Sequence, residues 1–236
     1  MAYAKAYGIR ITASRATVTS MNPRPGRSRN LSRTRIVDAA IELADTDGLA
    51  GLSMARLADK LGCGTMSLYR HVATKDELQM LMTSVAVGAP PAVAGRDDWQ
   101  AAVSEWADGL WEVYHRHPWI LAVTAAYPPV DPGQLAWLDA GLAALSSARL
   151  AEHHKVAAVM AVLHYTRGAA ALDIDATRSK QAPFTAQLHE LVESERFPAL
   201  SAAVRAGAFD GDGDRMADFH SGLRQLLDGV RTRIEK

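Results

Sequence analysis

The chain has 236 residues, 48% of them hydrophobic and 22% charged, with a formal net charge of zero. It is long enough for one large domain, or for a small domain joined to a larger one. No stretch approaches about 18 uninterrupted apolar residues, and the first residues lack the apolar segment of a signal peptide. We therefore expect a cytoplasmic protein with no membrane partner. The single cysteine, Cys63, cannot form an internal disulfide, which agrees with a reducing compartment.

The zero net charge conceals a basic segment at the start of the chain. Eight of the 26 basic residues precede Asp38 and no acidic residue does, so 18 basic residues face 26 acidic ones over the remainder. Residues 1–31 are rich in Arg, Ser, Thr and Gly and contain "NPRPG", and we interpret them as a flexible basic arm for an anionic partner. The alternative for residues 1–22 is a disordered start, with translation beginning at Met21.

Four helices are predicted between residues 32 and 86. Three of them have a capping residue, and two have a glycine stop: the N-caps are Ser32, Ser53 and Thr74, and the stops are Gly48 and Gly62. The third helix starts near Thr65, and Thr74 and Glu77 have the spacing of a capping box at the start of the fourth. Two short helices joined by a Gly-containing turn and braced by a further helix are the sequence form of a helix-turn-helix, so we assign residues 32–86 to one.

The segment "VGAPPAVAGRDD", at 87–98, breaks the helical pattern and predicts a domain boundary. Beyond it the chain is Ala-rich and helical, with Pro118 as an interruption and a loop at 205–214. The inward residues that we predict are Trp99, Val103, Trp106, Leu110 and Val113, then Leu135, Leu138, Leu142 and Leu145, then Val156, Val159 and Leu163, and finally Met216, Phe219, Leu223, Leu226 and Val230. No useful β-alternation occurs, so the predicted fold is all-α, with residues 87–236 as the larger domain.

The third helix carries the polar cluster of the first domain. Leu68 and Val72 are four residues apart and predicted to face the core, and Cys63 fills the turn before them. The residues left outside or at the margin are Thr65, Met66, Ser67, Tyr69, Arg70 and His71. Arg can bind a guanine edge or a phosphate, Thr and Met methyls can contact a thymine methyl, and Tyr and His can bond phosphate oxygens. Lys75, at the start of the next helix, could bind a phosphate together with backbone N–H groups.

Residues 32–86, above all "LSMARLADKLGCGTMSLYRHVATKDEL", resemble the DNA-binding domain of the tetracycline-repressor (TetR) family. The remainder, from "DDWQAAVSEWADGLWEVYHRHPWI" through "HYTRGAAALD", is similar to the C-terminal domain of tetracycline repressors. The resemblance implies a homodimeric repressor that binds a palindromic operator in double-stranded DNA. It also implies that the C-terminal domain binds a small-molecule effector and that its last long helices form a four-helix dimer interface.

The resemblance assigns roles to individual residues. The recognition helix falls on Thr65 to His71, where Thr65, Met66 and Arg70 would face bases. The positions implied for phosphate contacts are Ser53, Tyr69, His71 and Lys75. Two departures matter: Gly64 stands where the family often has a capping Ser, and Ala55 stands where tetracycline repressors have an Arg that reads guanine. We therefore expect a different operator.

The effector positions implied by the resemblance are Trp106, Leu110, Thr124, Leu138 and His164. Trp106 stands where tetracycline repressors have an Asn that holds the drug, and no residue near Val87 or Gly88 supplies their metal-binding His. We therefore expect an aromatic, fairly apolar effector rather than a magnesium chelate of tetracycline. The alternative is that Trp106 and Leu110 are core residues and that His164 is a satisfied interior histidine.

No metal, cofactor or enzymatic function is predicted. His115 and His117 diverge on a helix, His153 and His154 are adjacent, and the acidic residues of "FDGDGD" lack the Glu that completes a calcium loop, so we interpret that stretch as a solvated loop. The sequence has no HExxH, no CxxC, no phosphate loop and no nucleophile elbow. Two other functions stay open: a constitutive DNA binder without effector, and a helical ligand-binding protein or enzyme without DNA function.

Overall fold

A computed structural model describes residues 31–126, 131–178, 184–193, 195–209 and 215–234. In those ranges it contains helices and no strand, which confirms the all-α prediction. The predicted arm up to residue 30 and residues 210–214 of the acidic loop lie outside the described residues. The helices are α1 (Arg33–Gly51), α2 (Met54–Leu61), α3 (Thr65–Tyr69), α4 (Lys75–Ala86), α5 (Trp99–Arg116), α6 (Trp119–Ala126), α7 (Pro132–Ala144), α8 (Glu152–Arg178), α9 (Phe184–Leu191), α10 (Pro198–Arg205) and α11 (Arg215–Ile234).

The chain divides into two units, one ending at Val85 and the other beginning at Ala86. In the first unit, Ser32 and Ser53 cap α1 and α2 by accepting from the backbone N–H groups of Arg35 and Arg56. Gly48 adopts a positive φ of 71° and kinks α1 near its end. The core of the unit is built from aliphatic residues of all four helices and the segments between them: Ile36, Val37, Ala40, Leu52, Leu57, Leu68, Val72, Leu78 and Met82. The predicted caps Ser32 and Ser53 and the stop at Gly62 are confirmed, whereas Gly48 only kinks α1, which ends at Gly51.

In the second unit, α8 packs along α5, α7 and α11, and α5 also packs on α6 and α7. Four of the five predicted inward residues of α5 are buried, and Trp99 is half-buried. Asp98 caps α5 by accepting hydrogen bonds from the N–H groups of Gln100 and Ala101. None of the described helices has the length and apolarity needed to cross a membrane.

The inward faces of α7, α8 and α11 agree with the prediction only in part, with Leu145, Val159, Phe219 and Leu223 buried as predicted. On α7 the buried residues are Gly133, Trp137, Gly141 and Ala144, whereas Leu135 is 47% exposed. On α8 they are Val159, Val162, Thr166, Ala170 and Ile174, and Val156 is exposed. On α11 Leu227 is buried instead of Leu226. In each case several faces of the helix carry apolar residues, so spacing alone does not select the one that packs.

Candidate nucleic-acid interface and ligand-binding core

The turn between α2 and α3 is built on Gly62, whose φ of 66° lies in the left-handed region. Its N–H donates to the carbonyls of Ala58 and Asp59, and the N–H of Cys63 donates to Ala58 at 3.0 Å. These bonds close α2 and direct the chain into α3. Cys63 is half-buried, so our prediction of a buried filler was wrong in degree. Gly64 is the N-cap of α3 and forms no side-chain cap, as expected for a glycine.

Helix α3 is shorter than predicted, since it ends at Tyr69, but Arg70 keeps a right-handed helical conformation at its C-cap. Leu68 and Val72 are buried as predicted and anchor the helix to the core. On the opposite side Met66 is 73% exposed and Tyr69 is 45% exposed. Of the other predicted contact residues, Thr65 and Arg70 are exposed, whereas Ser67 and His71 are half-buried. An exposed Met beside an exposed Tyr on a helix is typical of a contact surface.

Some cationic side chains of the first unit form ion pairs with carboxylates, and others do not. Three ion pairs hold the helices together: Arg33 with Glu77, Arg56 with Asp47 at 2.5 Å, and Lys60 with Glu42 at 3.1 Å. Arg70 and Lys75 are exposed and form no ion pair within the described part of the chain. They are therefore available for an anionic partner.

The start of α4 confirms the capping box. The Glu77 N–H donates to Thr74 Oγ1 at 3.0 Å, and the Glu77 carboxylate accepts from the N–H of Ala73 at 2.7 Å. Sequence reasoning missed that the same carboxylate also binds Arg33. Ser53 is exposed, and its oxygen accepts from the Arg56 N–H at 3.2 Å, so its own O–H remains free to donate to a phosphate.

Two predicted effector residues, Trp106 and Leu110, are buried on one face of α5. The Trp106 Nε1 donates to the Trp137 carbonyl at 2.8 Å, and the Trp137 Nε1 donates to the Val87 carbonyl at 3.0 Å. Both indoles thereby satisfy their polar atoms within the protein, which is the core role that we kept as an alternative for Trp106.

The other predicted effector residues lie on three different helices. Thr124, on α6, is half-buried, and its hydroxyl donates to the Ile120 carbonyl at 2.9 Å. Leu138 is half-buried on α7, next to Trp137. His164 is exposed on α8, so the interior position that we considered for it is not observed in the protomer. The five residues therefore differ in exposure: Trp106 and Leu110 are buried, Thr124 and Leu138 half-buried, and His164 exposed.

Arg167 links α8 to the end of α6. Its guanidinium donates to the carbonyls of Leu121 at 2.7 Å and Thr124 at 3.2 Å. A cation bonded to the last carbonyls of a helix stabilises that end. Sequence reasoning missed this residue, whose only signal is its place within the apolar stretch of α8.

The sequence analysis also did not identify two buried residues that carry hydroxyl groups, Thr166 and Tyr114. Thr166 is fully buried, and its Oγ1 has no hydrogen-bond partner. Burial raises the pKa of Tyr114 to about 12, and the positive charge of Arg167 opposes that shift. The phenol therefore stays protonated at neutral pH. A correct prediction of the buried stripe of α8 would have drawn attention to Thr166, because it is a polar residue among aliphatic ones.

Asp173 forms a polar junction between α5, α8 and α11. Its carboxylate binds His115 Nε2 at 2.8 Å and Arg215 Nη1 at 2.9 Å. The His115 Nδ1 lies 2.9 Å from the Trp111 carbonyl, so both ring nitrogens face oxygen acceptors. No three metal-binding side chains lie together within the described ranges.

Comparison with known proteins gives one consistent result. The family model described as "Tetracyclin repressor-like, C-terminal domain" matches residues 90–234, and the model described as "Bacterial regulatory proteins, tetR family" matches residues 36–79. The HTH-type transcriptional repressor DrrR1 of Streptomyces coeruleorubidus is 33% identical over 229 residues, which cover 92% of this chain and 83% of that protein.

Solved structures share the fold as well. A possible TetR family transcriptional regulator from Streptomyces coelicolor A3(2) matches with a TM-score of 0.72 and 28% identity, covering 85% of this chain and 99% of that one. The Streptomyces coelicolor TetR family protein ActR, in complex with (S)-DNPA, matches with a TM-score of 0.71 and 25% identity, covering 85% and 97% of the two chains.

Proposed function

The chain belongs to the TetR family of transcriptional regulators, and on that premise we propose that it is a homodimeric repressor released from a palindromic DNA operator by a small, fairly apolar effector. The observation that carries the DNA-binding part is the form of α3. Two buried residues, Leu68 and Val72, fix a helix whose other side exposes Met66, Tyr69 and Arg70. A helix held rigidly and exposing contact residues can enter a major groove.

The proposed contacts follow from position and chemistry. Thr65, Met66 and Arg70 face base edges, because they are exposed and can bind a thymine methyl or a guanine. The proposed phosphate contacts come from Ser53, Tyr69, His71 and Lys75, with Ser67 at the margin of the surface. The unpaired charges of Arg70 and Lys75 favour this assignment. By contrast, Arg33, Arg56 and Lys60 already form ion pairs with carboxylates of the same unit.

Homodimer formation is proposed through α8 and α11. On α8 an exposed side carries Ala157, Ala161, Gly168 and Leu172, and Leu172 is 75% exposed. Small residues permit close approach of a second helix, and an exposed Leu provides apolar area to bury. A symmetric dimer would place two α3 helices in successive major grooves, roughly 34–36 Å apart.

Effector binding is proposed for the core between α5, α7 and α8, whose side chains are mostly aromatic and aliphatic. Buried Trp106, Leu110 and Trp111 favour an apolar, aromatic molecule. The related protein ActR has been solved with (S)-DNPA, which supports a small-molecule effector here. Release then requires the effector to bind the DNA-incompetent conformation more tightly than the competent one.

Fluorescence anisotropy with a labelled duplex from immediately upstream of the protein's own gene tests the proposal. We expect tighter binding than to a scrambled duplex of the same composition, and a steep loss of affinity between about 50 and 200 mM salt. Equal, salt-independent affinity for the two duplexes would show that the protein has no operator there. The binding protein or enzyme without DNA function would then be the better interpretation.

A further inference from the structure

Glu77, the third residue of α4, uses its carboxylate to hold two other segments of the first unit. One oxygen, Oε2, accepts from the backbone N–H of Ala73 at 2.7 Å, and the other, Oε1, forms an ion pair with the Arg33 guanidinium. In an ordinary capping box the carboxylate returns to the N-cap itself, which here is Thr74. The Glu77 carboxylate reaches one residue further, into the turn that follows α3.

The turn between α3 and α4 is fixed from both sides. The Leu68 carbonyl of α3 accepts from the N–H groups of His71 at 2.9 Å and Val72 at 3.0 Å, and Glu77 binds the next N–H, that of Ala73. Three consecutive N–H groups of the turn are therefore bonded. Because α3 has only five residues, it cannot hold its shape alone, so the contact residues at its end depend on this turn.

Arg33 brings the start of α1 to the same carboxylate. It is the first residue of α1 and directly follows Ser32, whose oxygen caps the helix by accepting from the Arg35 N–H at 3.3 Å. The basic arm predicted from the sequence joins the chain immediately before this point. One carboxylate thus connects the start of α1 with the turn that joins α3 to α4.

We propose that Glu77 is a positioning residue for DNA binding: through Ala73 and Arg33 it fixes the end of α3 relative to α1 before the protein contacts the duplex. The inference rests on the proposed DNA binding. Arg33 acts here as the partner of Glu77 and not as a phosphate contact, because its charge is already paired. An arrangement that exists before binding does not have to be ordered at the expense of affinity.

Two conservative variants remove the ion pair from opposite ends. Glu77→Gln keeps a side-chain oxygen that can accept from the Ala73 N–H, but it loses the charge that binds Arg33. Arg33→Gln leaves the Glu77 carboxylate and its bond to Ala73 in place. Glu42→Gln and Lys60→Gln are the matched controls, because that ion pair, at 3.1 Å, joins α1 to α2 of the same unit.

Anisotropy titrations compare the upstream and scrambled duplexes for each variant and for the double variant Arg33→Gln with Glu77→Gln. Each single variant should lower the ratio of operator affinity to scrambled-duplex affinity by about three- to fivefold. The double variant should lower the ratio no further, because all three variants lose the same ion pair. The slope of log affinity against log salt should change by less than half of the about 0.9 that one phosphate contact adds. The control variants should change neither quantity.

Thermal unfolding, followed by circular dichroism, separates positioning from loss of the fold. An ion pair at the surface contributes little to stability, so the melting temperatures of Glu77→Gln and Glu42→Gln should lie close together. A lowered affinity ratio in a variant that melts with its control is the result expected of a positioning residue.

Four results would overturn the inference. Tighter binding of both duplexes by Glu77→Gln, with a steeper salt slope, would show that Glu77 withholds Arg33 from phosphate. Losses that add in the double variant, equal losses in the control pair, or an unchanged affinity ratio in Glu77→Gln would show that this ion pair does not position α3. If the wild type itself binds the two duplexes equally, the proposed operator binding fails and the inference fails with it.

Discussion

The indole N–H of Trp106 donates to the backbone carbonyl of Trp137 at 2.8 Å, which joins α5 to α7 across 31 residues. The close approach depends on Gly141. A Cβ at Gly141 would lie 2.8 Å from Cζ2 of Trp106 and 3.0 Å from Cγ1 of Val159. The absence of a side chain at this position is what lets the tryptophan lie between α7 and α8.

Gly141→Ala should therefore destabilise the protein by about 1–3 kcal/mol, because the new methyl group overpacks the core. Guanidinium chloride unfolding, followed by tryptophan fluorescence, measures the change. Gly229→Ala is the control, since a Cβ there meets nothing within 4 Å. It should stabilise the helix by up to about 1 kcal/mol. Equal stability of the two variants would contradict the packing described for Trp106.

Because of Tyr114, the free energy of unfolding should depend on pH in the alkaline range. An unfolded tyrosine titrates near pH 10, whereas burial raises the pKa of Tyr114 to about 12. Between these values the folded protein binds the phenolic proton and the unfolded chain does not, so stability falls as pH rises. The loss should approach roughly 2–3 kcal/mol by pH 12. Below pH 10 this contribution is fully present.

Tyr114→Phe removes that titration. The unfolding free energy of the wild type minus that of the variant should therefore fall as the pH is raised from about 9 to 11. The exposed Tyr69→Phe is the control for loss of a phenol from the surface. A difference for Tyr114→Phe that stays constant with pH would mean that the Tyr114 phenol titrates as it does in water.

The helix-turn-helix was predictable because its signals are local. Ser32, Ser53 and Gly62 act on backbone groups within three or four residues, so their residue types alone indicate where helices begin and end. The burial of Leu68 and Val72 followed from their spacing. The ion pair of Arg33 with Glu77 joins residues 44 apart, and no local pattern indicates it.

The packing of the second unit was less predictable, and α7 shows why. Its leucines have helical spacing, yet Leu135 is exposed while Trp137 and Gly141 face the core. The spacing of apolar residues along one helix does not predict that a tryptophan packs against a glycine, because that contact depends on the neighbouring helix. Thr166 was missed for the same reason, since a missing hydrogen bond is visible only in the folded protein.

Dimerisation is tested at Leu172, which is exposed in the protomer. A charge at a proposed interface should prevent association without disturbing the core, so Leu172→Glu should be a folded monomer with at least about tenfold weaker operator binding. Sedimentation or light scattering gives the mass, and circular dichroism the helix content. Leu223, on α11, is a poorer site because it is buried within the protomer.

Leu135→Glu is the matched control for that experiment. Leu135 is also an exposed leucine, but it lies on α7, outside the proposed dimer helices. This variant should remain dimeric and bind the operator as the wild type does. A dimeric Leu172→Glu with unchanged operator affinity would place the interface elsewhere.

The charges of the basic arm should appear in the salt dependence of DNA binding. Arg24, Arg27 and Arg29 lie outside the described residues, so the prediction uses only their charge. Each neutralised phosphate adds about 0.9 to the slope of log affinity against log salt. Replacing all three with Gln should therefore lower the slope by up to about 3, for operator and scrambled duplex alike.

A second triple variant controls for net charge in that experiment. It replaces three exposed arginines of the second unit with Gln, at Arg149, Arg178 and Arg224. Because the same total charge is removed away from the proposed DNA surface, its slope should stay close to the wild-type value. If both triple variants change the slope equally, the arm does not contact the phosphates.

Tyr69 and Arg70 are adjacent at the end of α3, and we propose that Arg70 contacts a base edge and Tyr69 a phosphate. Their variants should therefore change DNA binding in different ways. Arg70→Ala removes a contact to a base edge and should cost about 1–3 kcal/mol for the operator, with little change for the scrambled duplex. Tyr69→Phe removes only a hydroxyl bonded to a phosphate. It should weaken binding to both duplexes by the same factor, so the ratio of operator affinity to scrambled-duplex affinity stays unchanged.

Anisotropy titrations of both duplexes at one salt concentration measure this affinity ratio for each variant. The exposed Arg224→Ala serves as the control for charge. If Arg70→Ala leaves the affinity ratio unchanged, Arg70 does not contact a base. If Tyr69→Phe lowers the ratio, Tyr69 contacts a base as well.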